Sequence, residues 1–162
     1  MPTFELTTDT WLPQPPEEVF AFFGDAANLD AMTPPWLNFR ILSRMPVDMR
    51  PGAIIEYALK LHGVPVRWRT EITDWTPPAR FVDEQRRGPY RRWVHTHTFT
   101  PERGGTRMAD RVVYEVPGGR LVNRLFVARE LRQIFRFRAD ALRRAFGVDD
   151  SEPRVVSIRQ VA

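Results

Sequence analysis

Cysteine is absent from this chain of 162 residues. That excludes disulfide staples, thiol nucleophiles and cysteinyl metal sites. Serine occurs only at positions 43, 151 and 157, none of them in a G-x-S-x-G elbow. There is no P-loop and no dinucleotide-binding glycine pattern; Gly104-Gly105 and Gly118-Gly119 read as turns. No apolar run approaches the roughly 18 residues that span a membrane. The stretch from Met1 to Trp11 has no basic segment leading into an apolar one, so no signal peptide is read there. A cytoplasmic protein without an integral membrane segment is the expectation.

Lysine is also nearly missing: Lys60 is the single lysine among 24 basic residues. Arginine keeps its charge at any accessible pH, which lifts the pI to about 10.3 although the net charge is only +4. The densest basic run, Arg86, Arg87, Arg91 and Arg92, is broken by Gly88 and Pro89. It reads as a solvated surface rather than a nucleic-acid face, which needs clustered charge, so no nucleic acid is expected as a partner. At 43% hydrophobic and 27% charged residues, the composition is that of one globular domain. The expected division is a domain over residues 1–147 and a short tail over 148–162.

What is present orders itself clearly. Residues 3–11 read as a strand. Pro15 and Pro16 with Glu17 and Glu18 suit a helix N-terminus, and Val19, Phe20, Phe22 and Phe23 make that helix very apolar up to Gly24. A second short helix is predicted over 25–32, ended by Thr33-Pro34-Pro35. Six strands follow, over 39–45, 53–61, 64–75, 80–86, 90–100 and 106–116. His62-Gly63 suits a two-residue hairpin turn, which places Leu59 opposite Val66 and Tyr57 opposite Trp68. Residues 120–146 carry Leu121, Leu125, Ala128, Leu131, Ile134, Phe135, Ala141, Leu142 and Ala145 near 3.6-residue spacing. That predicts an amphipathic helix of about 40 Å. Such a helix needs a large apolar partner, and the antiparallel sheet is the one on offer. An α+β architecture follows, a curved sheet gripping a helix, with space between them for a small apolar ligand.

The run from Pro15 to Asp25, with Asn28-Leu29 and Thr33 to Leu37, resembles the opening of the START-like, Bet v 1-like (SRPBCC) superfamily. It is similar in particular to bacterial ligand-binding members of polyketide cyclase/dehydrase type. Trp68 to Ile72, Phe81 to Gln85, Gly88-Pro89-Tyr90 and Trp93 to Phe99 fit as well, and the likeness covers roughly residues 3–146. It implies the helix-grip fold: a seven-stranded curved antiparallel sheet around a long C-terminal helix, with two short helices after strand one. It implies no single activity, since the superfamily includes carriers, receptors and cyclases.

The residues carry their own chemistry. His95 and His97 share one strand face with Trp93 and Phe99. On the next strand Met108, Asp110, Val112 and Tyr114 share a face. A register pairing His95 with Asp110 and His97 with Met108 unites both apolar faces. It would gather two imidazoles, a carboxylate and the Tyr114 phenol, which suits acid–base work beside a carbonyl or simply a hydrogen-bonded lining. His95-x-His97 with Glu102 also resembles half of a cupin metal motif. Glu102 falls in a predicted turn, however, and His62 lies upstream where a cupin needs a downstream histidine. No metal and no cofactor are therefore expected. Asp83 and Gln85 share a face with Phe81, and the sequence leaves open which face of that strand is buried; if Asp83 points inward, Arg67, Arg69 and Arg91 are candidate partners.

Tyr57, Leu59, Trp68, Thr70, Trp93, Val112, Leu131 and Phe135 are the predicted ligand contacts. The leading expectation is a binding protein for a small hydrophobic molecule, aromatic, polyketide or lipid-like, working as one copy or sharing its cavity in a homodimer. The alternatives are a cofactor-free cyclase or dehydratase using His95, His97, Asp110 and Tyr114, and a protein-interaction or assembly factor using the arginine-rich face.

Overall fold

The computed structural model describes residues 1–149 and 152–162. Strand β1 (Phe4–Leu12) leads into helix α1 (Pro16–Gly24), entered through Pro15 and Pro16 with Glu17 and Glu18 in its first turn. The helix stops where Gly24 comes against Trp75: a Cβ there would sit 3.3 Å from the indole ring. The second short helix is a single 3-10 turn, Ala26–Leu29, capped by Asp25 accepting from the Ala27 N–H. Another such turn, Pro35–Leu37, precedes β2 (Arg40–Ile41).

The sheet then runs through β3 (Ile54–Leu61), β4 (Val64–Thr76), β5 (Arg80–Arg87), β6 (Arg92–Glu102) and β7 (Gly105–Glu115). All pairings are antiparallel, and the spatial order is β2-β3-β4-β5-β6-β7-β1-β8. His62 and Gly63 both have positive φ, 50° and 77°, as a tight hairpin turn requires. Leu59 faces Val66 and Tyr57 faces Trp68, in the register expected from the sequence.

The sheet has eight strands among the described residues rather than seven. The additional one is β8 (Ser157–Gln160), which lies in the expected tail and pairs with the edge of β1, Leu6 opposite Ile158. Covering an open edge removes a row of unpaired backbone groups. Val156 anchors this segment, at 7% exposure, in the same core as Phe4 and Leu6.

The long helix is α2 (Gly119–Val122), a π turn (Asn123–Val127) and α3 (Ala128–Ala145) in continuous succession. The π turn inserts an extra residue into the helical repeat and rotates everything before it. That explains a departure from the predicted apolar stripe. Leu121 and Leu125 are 66% and 55% exposed, while Asn123 is buried and accepts from the Tyr114 hydroxyl at 2.9 Å. Beyond the π turn Leu131, Phe135, Ala139 and Leu142 are buried against the concave face of the sheet. No helix among the described residues is long and apolar enough to cross a membrane.

Candidate functional site

Alternation along the central strands decides what faces the helix. On β6, Trp93, His95, His97 and Phe99 are buried; on β7, Met108, Asp110, Val112 and Tyr114 are. Between this face and α3 lies a cavity of about 180 Å³. An engineered apolar cavity of about 150 Å³ admits benzene, so this one suits a ring-sized ligand.

One end of the cavity is aromatic. Tyr57 stacks on Trp68 with ring centroids 5.8 Å apart, and Trp93 meets Trp68 edge-on at 5.4 Å. Tyr90 joins them, 4.6 Å from Trp93. Burial pushes the Tyr57 and Tyr90 phenols well above the ordinary tyrosine range, so both stay neutral. The Trp68 Nε1–H is buried and has no hydrogen-bond partner.

The other end is ionic. Asp83 faces inward, which settles the open face of β5. Its partners are histidines rather than Arg67, Arg69 or Arg91: His97 Nε2 lies 2.7 Å from Asp83 Oδ2. His95 Nε2 lies 2.7 Å from Asp110 Oδ1, and His97 Nδ1 lies 3.1 Å from the same oxygen. The strand register behind this differs by two residues from the expected one: His97 pairs with Asp110, and His95 with Val112. The cause is the turn, which is Arg103-Gly104 alone, both with positive φ, so that Glu102 pairs with Gly105. A shift of two preserves the faces, and His95 reaches Asp110 along the diagonal. The two imidazoles stack 3.8 Å apart, and His97 also stacks on Phe81 at 4.0 Å.

Arg138 of α3 closes the cluster. Its Nε is 3.4 Å from Asp110 Oδ2, its guanidinium lies over the Phe23 ring at 5.1 Å, and Nε is buried without a hydrogen bond. Burial works to raise both carboxyls. For Asp83 the hydrogen bond with His97 does most to overcome it, and for Asp110 the charge of Arg138 and the hydrogen bond with His95 do, holding Asp110 well below the carboxylate range. Burial and its neighbour His97 lower the His95 pKa. Burial also opposes charging of His97, but hydrogen bonding to Asp110 and Asp83 outweighs it and raises that pKa. The Arg138 guanidinium and the hydrogen bonds from both imidazoles offset the two buried carboxylates, which is how such a cluster persists inside.

Of the predicted contacts, Tyr57, Leu59, Trp68, Thr70, Trp93, Leu131, Phe135, His95 and His97 line the cavity. Val112, Asp110 and Tyr114 do not. Asp110 stands behind the histidines, and Tyr114 is fully buried with its hydroxyl turned to Asn123. Glu102 is held by Arg107 at the hairpin end, away from the histidines. Sequence reasoning missed Arg138, yet a signal existed: it lies three residues after Phe135 and four before Leu142, inside the apolar stripe.

Comparison with known proteins fits this architecture. Residues 12–143 match the family model described as polyketide cyclase / dehydrase and lipid transport. The chain belongs to that family. Among solved structures, CV1439 from Chromobacterium violaceum superposes with a TM-score of 0.69 at 17% identity, over 90% of this chain and 99% of that one. Ms6760 from Mycobacterium smegmatis gives 0.66 at 18% identity, over 88% and 90% of the two chains. Ara h 8.0201, a Bet v 1 relative, gives 0.65 at 13% identity, over 89% and 97%. These likenesses establish the helix-grip fold in this family member and nothing finer. No curated protein sequence matches.

Proposed function

We propose that this family member binds a small, mostly apolar molecule that carries oxygen acceptors. Its rings or chain would lie against Tyr57, Trp68, Tyr90 and Trp93, and its oxygens would face Trp68 Nε1 and Arg138. The observation that carries the reading is the cavity of about 180 Å³ whose wall holds a buried indole N–H without a partner, Trp68 Nε1, at its aromatic end and the Arg138 guanidinium at the other. A buried donor without a partner costs about 1–3 kcal/mol, and a ligand oxygen would recover it.

The test is native, then denaturing, mass spectrometry of the purified protein, with titration of 8-anilinonaphthalene-1-sulfonate, an aromatic anion. A co-purified small molecule or saturable dye binding is expected. An empty protein that also fails to bind the dye would end the proposal.

A second reading is favoured by the oppositely shifted imidazoles: His95, kept neutral, as a base and His97 as an acid in a cyclisation or dehydration. Asp110 would orient both rings from behind. Tyr114, turned to Asn123, would contribute no proton.

A further inference from the structure

The ionic end of the cavity has a polarity that hydrogen bonding alone does not account for. Asp110 engages the far nitrogens of both rings, His95 Nε2 at 2.7 Å and His97 Nδ1 at 3.1 Å. The near nitrogens therefore both turn toward Asp83: His97 Nε2 is 2.7 Å and His95 Nδ1 is 4.0 Å from Asp83 Oδ2. The second of these distances is beyond hydrogen-bond reach. One donor atom from each of Asp83, His95 and His97 lies within 4.8 Å of the other two, and all three residues line the cavity.

We propose that Asp83 Oδ2, His95 Nδ1 and His97 Nε2 form a two-histidine, one-carboxylate site for a first-row divalent cation, with Asp110 orienting both imidazoles from behind. Carboxylates that hold the non-ligating nitrogen of a metal-bound histidine are the usual support of such sites, and here one carboxylate serves both rings. The N,N,O donor set suits Fe²⁺, Co²⁺ or Zn²⁺, whereas Ca²⁺ and Mg²⁺ want mostly oxygens. Arg138 lies against Asp110, 3.4 Å from Oδ2, and balances its charge, which leaves the Asp83 carboxylate for the ion. The ion would replace the proton that bridges His97 Nε2 and Asp83. Its remaining coordination positions would open into the cavity, where the binding reading above puts the oxygens of the small molecule. The carboxylate is Asp83 and not the Glu102 that sequence spacing suggests, because strand pairing sets Asp83 directly opposite His95.

The experiment is titration of the chelator-treated protein with Co²⁺ and with Zn²⁺, following Co²⁺ visible absorption and calorimetric stoichiometry. One ion per chain is expected. Asp83→Asn, which keeps the side-chain shape, and His95→Gln should abolish uptake, and Asp110→Asn should weaken it by about 10- to 100-fold. Circular dichroism of each variant checks that it is folded. Absence of saturable uptake overturns the site, and so does uptake unchanged in folded Asp83→Asn and His95→Gln. Dye binding by the metal-free protein is measured alongside. Dye binding without metal uptake sinks this inference alone, and metal uptake by a protein that purifies empty and binds no dye sinks the apolar-ligand reading alone.

Discussion

The two ends of the cavity are built by the same strands yet differ in how they are held. At the aromatic end, Tyr57, Trp68, Tyr90 and Trp93 meet through ring contacts 4.6 to 5.8 Å apart, and each contact is a separate, modest contribution. At the ionic end, Asp83, His95, His97, Asp110 and Arg138 are charged or titratable groups away from water, each tolerable only because the others are there. The aromatic end should accept substitution gradually, and the ionic end should fail as a unit. A strand that places Trp93, His95, His97 and Phe99 on one face thus joins two kinds of energetics within a few residues.

The sharpest way to break that contrast is Asp110→Ala. It leaves Arg138 without its carboxylate and both imidazoles with Asp83 alone, and about 3–5 kcal/mol of stability should be lost in urea denaturation. The double variant Asp110→Leu, Arg138→Met removes both charges together and should lose clearly less than the sum of its single variants. If Asp110→Ala unfolds at the wild-type urea concentration, the cluster is not a coupled unit.

At the aromatic end the expected effect is smaller and lies elsewhere. Trp68→Phe keeps the ring packing but removes the unpartnered Nε1–H. Stability by thermal melting should change by less than about 1.5 kcal/mol. Affinity for an oxygen-bearing ligand should nevertheless fall, by up to about tenfold for one lost hydrogen bond. A fall in stability as large as that of Asp110→Ala would erase the difference between the two ends.

How far this contrast could be read from the sequence depends on the element. Alternation placed His95, His97 and Asp110 on inner faces, and the proline, glutamate and phenylalanine run marked α1. The His62-Gly63 register was legible because glycine at a positive-φ position announces the turn. Arg103 also has positive φ, at 48°, but arginine gives no such signal, so the turn there looked longer and the pairing came out two residues off. The cluster survived because a shift of two keeps side chains on their face. Asp83 was illegible for a related reason. Its strand pairs with β4 through register irregularities near Thr70 and Ile72, which no local pattern reveals. Residues 155–162 have some strand character in the sequence, but an edge strand of four residues carries too little hydrophobic periodicity to be assigned a place in the sheet.

A second ionic cluster sharpens the comparison, because its arginines stand in water. Glu5, itself 5% exposed, accepts from Arg159 on β8 and Arg111 on β7, both more than half exposed. It has the same kind of partners as Asp110 but a solvated rim, so its contribution is discounted to less than about 1 kcal/mol. The hydrogen bond from Arg159 does most to lower the Glu5 pKa; burial opposes it, and Arg111 adds to the lowering. A lowered folded-state pKa means that the stabilisation is complete above the unfolded value of about 4.3 and disappears as pH falls through the folded one. Glu5→Gln should therefore be slightly less stable than wild type at pH 7, and the gap should close under acid below about pH 4. Because Glu5 ties β8 to the sheet, the same variant should speed hydrogen exchange at the β1–β8 pairing more than in β6. An equal stability gap at pH 3 and pH 7 would show that the side chain acts there through packing alone, and the distinction between solvated and buried charge would then rest on the Asp110 cluster.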